Sequence, residues 1–394
     1  MSASLLSEPG ETVWLRVDVG LPMAARREAA RLARRIGIDE ERVGSVEIAA
    51  TEAATNLQRH ATDGALVLRV ALDGEHASLD VLATDTGPGI ADLAGALRDG
   101  ASSAGTLGVG LGAIARLADV FDMHTLPGRG TAVLARFHAD QDRPHAGGVE
   151  FGGLTRPIGG EEMCGDTWAV RYAEGPAAEC DEDPERALPR PVLAMMCDGL
   201  GHGPQAARAG EAAQEAFRAS RATRPQQVLE DLHRAMRGTR GAAVAVVRAD
   251  FARGKLEFAG VGNTTTCVVA DGRRASLLSS PGIVGAHLPR ARTVFAEAGP
   301  GAVLVMHSDG LNDRWAADGF PGSSPAARPS SPRRSCGTRG PAGTTSASSS
   351  SSKRPRDEFR RAGTHSRANA FDQAGRSVSA AKARASGVSG TGAR

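Results

Sequence analysis

The 394-residue sequence contains no long apolar run, since no stretch approaches the roughly 20 residues that a transmembrane helix needs. Its first ten residues lack a basic patch followed by an apolar segment, which argues against a secretory signal. Both absences predict a cytoplasmic protein with no membrane partner.

Cysteine and aromatic residues are also scarce. Aromatic side chains make up only 4% of the chain, and the five cysteines show no C-x-x-C spacing. This pattern argues against a disulfide framework and a zinc ribbon, and it is typical of a protein from a reducing compartment. The 49 glycines instead indicate many loops whose shape depends on the backbone.

The small net charge of +2 hides an uneven distribution of charge along the chain. Residues 316–394 carry 14 Lys and Arg against 4 Asp and Glu, a balance of +10. Residues 1–315 carry 33 basic against 41 acidic residues, a balance of −8. An acidic body argues against nucleic acid as the main partner.

Residues 12–140 form a first unit of mixed α/β pattern. Alternation and helical spacing predict these elements: a strand at 12–18, helices at 24–36 and 40–60, strands at 65–72 and 77–83, a helix at 110–118, and strands at 121–126 and 131–137. Asp39 is placed to cap the second helix. The polar stretch at 140–148 is typical of a linker.

Residues 149–315 form a second, strand-rich α/β unit. Apolar runs predict buried strands at 167–173, 191–197, 241–250, 255–260, 265–270 and 302–307, with helices at 204–220 and 225–237 between them. The third segment, 316–394, has 16 Ser and only five residues from the set Val, Ile, Leu, Met, Phe and Trp. We predict that this tail is disordered, because it cannot bury enough apolar surface.

Two polar clusters in the first unit are candidates for binding chemistry. Glu52 and Asn56 lie four residues apart and therefore share one face of the second helix. The D-x-G-x-G run places Asp85, Gly87 and Gly89 at a strand end, where glycine lets the backbone approach a ligand closely. Taken alone, such a pair is usually a solvated helix face and such a run is usually a turn.

A glycine-rich loop at 105–112 forms the third cluster. Its glycines Gly108, Gly110 and Gly112 lead into a helix, and the start of a helix favours phosphate oxygens. In this order and spacing, the three clusters resemble the ATP-binding domain of the histidine-kinase/gyrase type, a two-layer α/β sandwich. The match is closest to the anti-sigma-factor kinases and their stressosome relatives, the RsbW/RsbT-like serine/threonine kinases.

This resemblance covers nearly all of residues 12–138, including the closing PGRGTAV turn, and it implies ATP and Mg²⁺ as cofactors. It implies that Asn56 binds Mg²⁺, that Asp85 accepts a hydrogen bond from the adenine amino group, and that the glycine loop covers the phosphates. Glu52 matches the acidic residue of the family and is the candidate catalytic base for the attacking hydroxyl.

Three acidic motifs follow apolar strands in the second unit. They are GGEEMCGDTWAV with Asp166, MMCDGLGHG with Asp198 and Gly199, and MHSDGLND with Asp309. Carboxylates and carbonyls suit Mg²⁺ or Mn²⁺, and two such ions can hold a hydroxide for attack on phosphorus. A single Asp-Gly pair is usually a turn, but three such pairs after buried strands favour a metal site.

These motifs resemble the metal-dependent serine/threonine phosphatases of the PP2C superfamily, in its SpoIIE/RsbX-like branch. The resemblance implies an α-β-β-α sandwich with two Mn²⁺ or Mg²⁺ ions. Asp198 would bridge the ions with help from the Gly199 carbonyl, and Asp166 and Asp309 would complete the cluster. Three further residues lie near the site or match a family turn without an assigned role: His202, Gly262 and Asn263.

One expected piece of this family is absent. The family ends with an Asp-Asp motif that opens a last apolar strand, and nothing after Asp313 fits it. If codons in this gene end in G or C, shifting the reading frame by one base in the Ser-rich run at 343–353 gives the sequence Asp-Val-Gly-Val-Val. This sequence resembles the missing motif and apolar strand. We predict that the chain leaves the ancestral reading frame near 320–324, so that the second domain lacks its last strand. A genuine Ser-rich linker is the alternative, and the gene sequence decides between them.

These features predict a bifunctional regulator of bacterial partner-switching signalling. The first domain would phosphorylate Ser or Thr on a STAS-type antagonist, and the second would dephosphorylate phospho-Ser/Thr proteins, with a sigma factor or stressosome component as a further partner. One alternative is a non-catalytic, ATP-binding, anti-sigma-like module that sequesters its partner and carries a degenerate phosphatase. Another is a general phosphohydrolase that ATP regulates.

Overall fold

The computed structural model describes residues 5–73, 76–97, 110–140, 149–159, 161, 163–173, 190–299, 301–311 and 315, with the backbone of 378–385. The helices are α1 (Leu21–Arg35), α2 (Glu40–His60), α3 (Leu93–Ala96), α4 (Gly110–Leu117), α5 (Pro204–Ala219) and α6 (Pro225–Ala235). In these ranges, no helix combines the length and hydropathy needed to cross a membrane.

The strands belong to two sheets. They are β1 (Leu5–Arg16), β2 (Ala65–Asp73), β3 (His76–Asp85), β4 (Val120–Leu126), β5 (Gly130–His138), β6 (Val149–Arg156), β7 (Asp166–Tyr172), β8 (Val192–Gly199), β9 (Ala242–Asp250), β10 (Lys255–Val261), β11 (Thr265–Ala270), β12 (Arg273–Leu277), β13 (Val294–Glu297), β14 (Val303–His307) and β15 (Val378–Ala385). One sheet has the order β13-β10-β9-β8-β7-β1-β2-β3-β5-β4, and the other has the order β12-β11-β14-β15-β6.

The first domain is a two-layer α/β sandwich, as predicted. Helices α1, α2 and α4 cover one face of β2, β3 and β5, and their shared core includes Leu32, Val46, Leu66 and Phe137. Helix α2 begins where the sequence predicts, because the Asp39 carboxylate accepts a hydrogen bond from the Arg42 backbone N–H at 2.9 Å.

The second domain packs two sheets face to face and is mixed α/β, as predicted. Helices α5 and α6 cover the outer face of β7–β10 around Phe217 and Leu229. A separate core lies between the sheets and includes Trp168, Phe258 and Leu304. Within the described ranges, helices cover only this first sheet of the sandwich.

Besides β15, three strands of the second domain were missed by the sequence patterns, namely β6, β12 and β13. The strands β12 and β13 are edge strands, and most of their side chains are at least partly exposed. Such strands are held by backbone pairing with one neighbour, so they lack the apolar run that identifies a buried strand.

The tail requires a correction. The sequence predicts disorder over 316–394 and a sandwich without its last strand, but β15 lies between β14 and β6 and pairs antiparallel with both. The backbone of Val378–Ala385 thus fills a position that would otherwise leave two strand edges unpaired. Apolar content alone could not reveal this strand, because the pairing uses backbone groups. The rest of the tail lies outside the described residues.

Strand β1 joins the two domains. It begins at Leu5, seven residues before its predicted start, and its first residues pair with Val170 and Arg171 of β7. From Glu8 onward it pairs with β2 instead. One continuous sheet therefore runs through both domains.

Side-chain contacts support this junction. The Glu8 carboxylate accepts hydrogen bonds from Gln214 Nε2 at 2.5 Å and from Arg218 Nη2 at 2.6 Å, both on α5. Trp14 Nε1 donates to the Thr155 carbonyl at 3.1 Å, and the Arg156 guanidinium lies 5.0 Å from the centre of the Trp14 ring. Both ends of β1 are thus tied to the second domain.

The register of β1 changes between Pro9 and Thr12, where Gly10 approaches β2 closely. A Cβ on Gly10 would lie 2.2 Å from the Val70 carbonyl oxygen, so Gly10→Ala should destabilise the full chain by about 1–3 kcal/mol through overpacking. Denaturant unfolding of the full chain measures this change.

The matched control is Gly44→Ala. A Cβ on Gly44, inside α2, would meet no atom within 4 Å, so this substitution should leave stability unchanged or raise it by about 0.5–1 kcal/mol. Equal effects of the two substitutions would contradict the close approach at β1.

Candidate active sites

The loop after β3 lies against the C-terminal end of α2. The Thr86 backbone N–H donates to the Thr62 carbonyl at 2.8 Å. A Cβ on Gly87 would lie 2.7 Å from Asp85 Oδ1 and 3.1 Å from the His60 carbonyl oxygen, so glycine allows the close approach here. The D-x-G-x-G run is therefore held next to the last turn of the helix that carries Asn56.

The opposite side of this loop contacts the turn between β4 and β5. Gly89 has a φ of +69°, and a Cβ there would lie 2.3 Å from the Leu126 carbonyl oxygen. Gly130 has a φ of +105°, and a Cβ at this position would lie only 1.9 Å from the Asp85 carbonyl oxygen. The sequence analysis did not single out Gly130, although the PGRGTAV motif contains it.

Asp85 is a half-buried carboxylate that backbone groups hold in place. Its Oδ1 atom accepts a hydrogen bond from the Gly87 N–H at 2.7 Å, and the Thr131 N–H also donates to it. Burial raises the pKa of Asp85, while these two N–H groups act in the opposite direction. The carboxylate therefore has a set orientation at the edge of the sheet.

Asn56 carries an unsatisfied polar atom. Its Nδ2 atom is buried and has no hydrogen-bond partner among the residues that the structure describes. A buried donor without a partner is costly, so the site is suited to a ligand oxygen. An amide oxygen is also a hard donor of the kind that Mg²⁺ accepts, so Asn56 fits an Mg-nucleotide. Glu52 lies one turn earlier on α2 and is partly buried.

The described residues include only part of the glycine loop. Gly108 lies outside the described residues, as do positions 98–109. Gly110 opens α4, and Gly112 is buried on that helix, which packs against α2. The start of α4 is thus placed near the helix that carries Glu52 and Asn56, as a phosphate-binding helix start would be.

In the second domain, Asp166 and Asp198 face each other across two neighbouring strands. Asp166 opens β7, Asp198 lies next to the end of β8, and the two residues are direct partners in the antiparallel register. Ser308, which follows β14 of the other sheet, donates from Oγ to Asp166 Oδ2 at 2.8 Å. The sequence analysis missed Ser308, although it directly precedes Asp309 in the MHSDGLND motif.

The two carboxylates are strongly perturbed. Burial raises the pKa of Asp166 to about 6 and that of Asp198 to about 8. The negative charge of Asp309 adds to both shifts, and the charge of Asp166 adds to the shift of Asp198. Converging, desolvated carboxylates of this kind favour a proton or a cation between them.

Asp309 lies close enough to act on both carboxylates electrostatically, but its side chain is held elsewhere. Asn263 Nδ2 donates a hydrogen bond to Asp309 Oδ2 at 3.0 Å. The turn at Gly262 and Asn263, to which the sequence assigned no role, therefore contacts Asp309. Across the described ranges, no three His, Cys, Asp or Glu side chains approach closely enough to form a complete metal-binding group. The oxygen donors present nevertheless fit Mg²⁺ or Mn²⁺.

Gly199 is confined next to this carboxylate pair. Its N–H donates to the Gly165 carbonyl at 3.2 Å, and a Cβ there would lie 2.5 Å from the Ala206 carbonyl oxygen. No side chain fits at this position. Gly199 directly follows Asp198, which is paired with Asp166, so its backbone lies close to both carboxylates. A backbone carbonyl is a hard oxygen donor of the kind that Mg²⁺ and Mn²⁺ accept.

His202 and Cys197 lie close to Asp198 of the carboxylate pair in the sequence. His202 Nδ1 lies 2.6 Å from Glu161 Oε1, beside the loop that follows Asp198. Cys197 lies in the core beneath the site, where burial raises the pKa of its thiol well above the usual value. Its thiol therefore stays protonated and packs as an apolar group.

Comparisons with known proteins match both domains. Residues 19–137 match the family described as histidine kinase-like ATPase domain, and residues 189–326 match the family of stage II sporulation protein E (SpoIIE). The serine/threonine-protein kinase RsbT of Bacillus subtilis (strain 168) is 32% identical over 113 residues, which are 29% of this chain and 85% of RsbT.

Two solved structures are similar over larger shares of the chain. A structure described as the bacterial stressosome, a modular system adapted to control secondary messenger signalling, is 25% identical with a TM-score of 0.40, and the match covers 60% of this chain and 99% of that one. RsbX in complex with magnesium is 13% identical with a TM-score of 0.43, over 62% of this chain and 98% of that one.

The family assignment of this chain depends on RsbT, because the match covers more than four fifths of the length of RsbT at over 30% identity. The chain therefore belongs to the RsbT-like serine/threonine-protein kinase family, and its histidine kinase-like ATPase domain is followed by a domain that matches the SpoIIE family.

Proposed function

We propose that this chain is a cytoplasmic, bifunctional regulator of partner switching. Its first domain phosphorylates a Ser or Thr on a STAS-type antagonist, and its second domain removes phosphate from phospho-Ser/Thr proteins of the same pathway. The observation that carries the proposal is the desolvated Asp166–Asp198 pair, placed in the same sheet as an RsbT-like ATP-binding domain.

In the first domain, the residues around α2 would hold Mg-ATP. The Asn56 side-chain oxygen suits Mg²⁺, and its partnerless Nδ2 atom suits a phosphate oxygen. Asp85, which two backbone N–H groups orient, is the acceptor for the adenine amino group. Glu52 is the candidate base for the hydroxyl of the partner protein, for which it needs only hydrogen-bond reach.

In the second domain, Asp166, Asp198, Asp309 and the Gly199 carbonyl would hold two Mg²⁺ or Mn²⁺ ions. Bound there, the ions supply a water of lowered pKa and charge for the phosphoryl oxygens. The chain's own residues arrange this centre. Ser308 orients Asp166, and Asn263 holds Asp309 at the rim of the site. The raised pKa of Asp198, which burial and the neighbouring carboxylates cause, supports the proposal that a cation is favoured there.

A second candidate function is an ATP-binding module that sequesters its partner and carries a degenerate phosphatase. The composition of β15 favours it, because its sequence VSAAKARA contains no acidic residue to replace the missing Asp-Asp motif. Incubation of the full chain with radiolabelled ATP and a purified STAS protein separates the candidates. Label on the STAS protein supports the first candidate, and stable complex formation without label supports the second.

We expect Asn56→Ala and Asp85→Ala in the full chain to weaken Mg-ATP binding by about 1–3 kcal/mol each, the cost of removing one partner of a polar contact. Isothermal titration measures the affinity. Glu41→Ala, which removes an exposed carboxylate from the first turn of α2, is the control and should bind normally. Unchanged affinity in both test variants would contradict this nucleotide pocket.

Glu52→Gln should separate binding from chemistry. The substitution keeps the shape of the side chain but removes the base, so ATP affinity should stay at the wild-type level while phosphotransfer is lost. Titration and the radiolabel assay on the same preparation measure both quantities. If phosphotransfer survives, Glu52 is not the base.

The metal-free chain should lose stability as the pH rises from about 5 to 8.5. The pKa of Asp198 is raised to about 8 and that of Asp166 to about 6, so the fold favours their protonated forms. This contribution is complete below the pKa of an unfolded Asp, roughly 4, and is lost as the pH passes the raised values. Thermal unfolding in a chelator measures the trend.

Two comparisons check this pH dependence. Asp198→Asn should flatten the decline of the unfolding midpoint, because the group that ionises last is removed. Mg²⁺ or Mn²⁺ should restore stability mainly at high pH, where metal no longer competes with protons. A midpoint that rises with pH in the metal-free wild type, but not in Asp198→Asn, would contradict the assignment.

A further inference from the structure

Arg240 lies beside the loop that connects Asp198 to α5. A Cβ on Gly201 would be 2.9 Å from Arg240 Nη1, and Gly201 has a φ of +89°. The guanidinium therefore lies directly against this loop, and the positive φ of Gly201 favours glycine at this position.

The strand register places Arg240 at the same end of the sheet as the metal carboxylates. Ala243 of β9 is paired with Asp198, which is itself paired with Asp166. Arg240 comes three residues before Ala243, and the Leu200 N–H donates to the Gly241 carbonyl at 3.0 Å. Arg240 thus lies just beyond the edge from which the two carboxylates extend.

Hydrogen bonds hold the turn that carries Arg240. The Thr239 hydroxyl donates to the Met236 carbonyl at 2.7 Å and accepts from the Gly241 N–H at 3.0 Å. Gly241 has a φ of +80°, and a Cβ there would lie 2.6 Å from Ile283 Cγ2. Both neighbours of Arg240 are thereby fixed, so its side chain begins from a set position.

The guanidinium is available for a ligand. Within the part of the chain that the structure describes, no ion pair or hydrogen bond involves Arg240, which is exposed. The nearby acidic groups already have other partners, since Glu161 contacts His202 and Asp309 accepts from Asn263. No arginine contributes to the pKa shifts of the carboxylate pair either.

We propose that Arg240 binds the phosphoryl group of the phosphomonoester substrate. This inference rests on the proposed phosphatase function. The planar guanidinium donates two parallel hydrogen bonds to phosphate oxygens, which is a geometry that lysine cannot reproduce. Arg240 therefore orients the phosphoryl group from the rim of the site, just beyond the sheet edge that carries the carboxylates, and favours phosphorylated over unmodified Ser or Thr.

Binding of inorganic phosphate to the full chain in Mg²⁺ tests the inference. Isothermal titration should show that Arg240→Ala weakens phosphate binding roughly 10- to 100-fold, as expected for loss of a charge-assisted hydrogen bond. Arg240→Lys should restore only part of the affinity. The matched control is Arg237→Ala, an exposed arginine on the same segment, which should bind phosphate as the wild type does.

Mn²⁺ titration of the same variants excludes a purely structural role for Arg240. Arg240→Ala should keep the wild-type Mn²⁺ affinity and thermal stability, because the residue contacts substrate and not the metal carboxylates. Equal phosphate affinity in wild type and Arg240→Ala, no phosphate binding by the wild type, or a parallel loss of Mn²⁺ binding would each overturn the inference.

Hydrolysis of p-nitrophenyl phosphate then tests the proposed function separately. An active wild type whose KM rises in Arg240→Ala supports both statements. A wild type that binds phosphate through Arg240 but hydrolyses nothing refutes the phosphatase activity and leaves the phosphate subsite standing.

Discussion

The pairing of β1 with two neighbours is the interaction on which the arrangement of this molecule depends. Its first residues complete the edge of β7, and its later residues form the edge of the first domain. The change of partner occurs between Ser7 and Glu8, just before a Pro-Gly bulge where Gly10 lies too close to Val70 for any side chain. Without this strand, β7 would present an unpaired edge at Val170 and Arg171, and α5 would lose the Glu8 contact to Gln214. Strand β1 of the first domain therefore supplies part of the framework of the second domain.

The pKa values of buried carboxylates in this protein shift in two opposite directions, depending on whether the charged neighbours are guanidinium groups or other carboxylates. Asp80 is fully buried, which by itself would raise its pKa, but the adjacent guanidinium groups of Arg69 and Arg136 outweigh this effect and lower it. That group is satisfied and holds β2, β3 and β5 together. Asp166 and Asp198 are also desolvated, but their charged neighbour is another carboxylate, so their pKa values rise. A desolvated group without a compensating cation is the kind of group that binds a ligand.

The tail shows where composition is an incomplete guide. Residues 316–394 contain too few apolar side chains to form a core, and the SpoIIE match ends at residue 326, close to the predicted change of reading frame at 320–324. The strand at Val378–Ala385 is nevertheless paired on both sides, because a sheet position between β14 and β6 is filled by backbone hydrogen bonds whatever the side chains are. The change of frame stays a prediction that the gene sequence can test.

Local patterns in the sequence determined the elements with strong periodicity, such as α2 and β11. They also determined the three acidic motifs and the D-x-G-x-G run. All of these features depend on residues that are close together in the chain. Tertiary structure alone decided which distant groups meet. Ser308 reaches Asp166 from the other sheet, Gly130 packs on Asp85, and Arg240 lies over Gly201. It also decided that one strand serves both domains. These contacts depend on strand register and sheet order, which follow from the burial of the whole chain and leave no periodic signal around any single residue.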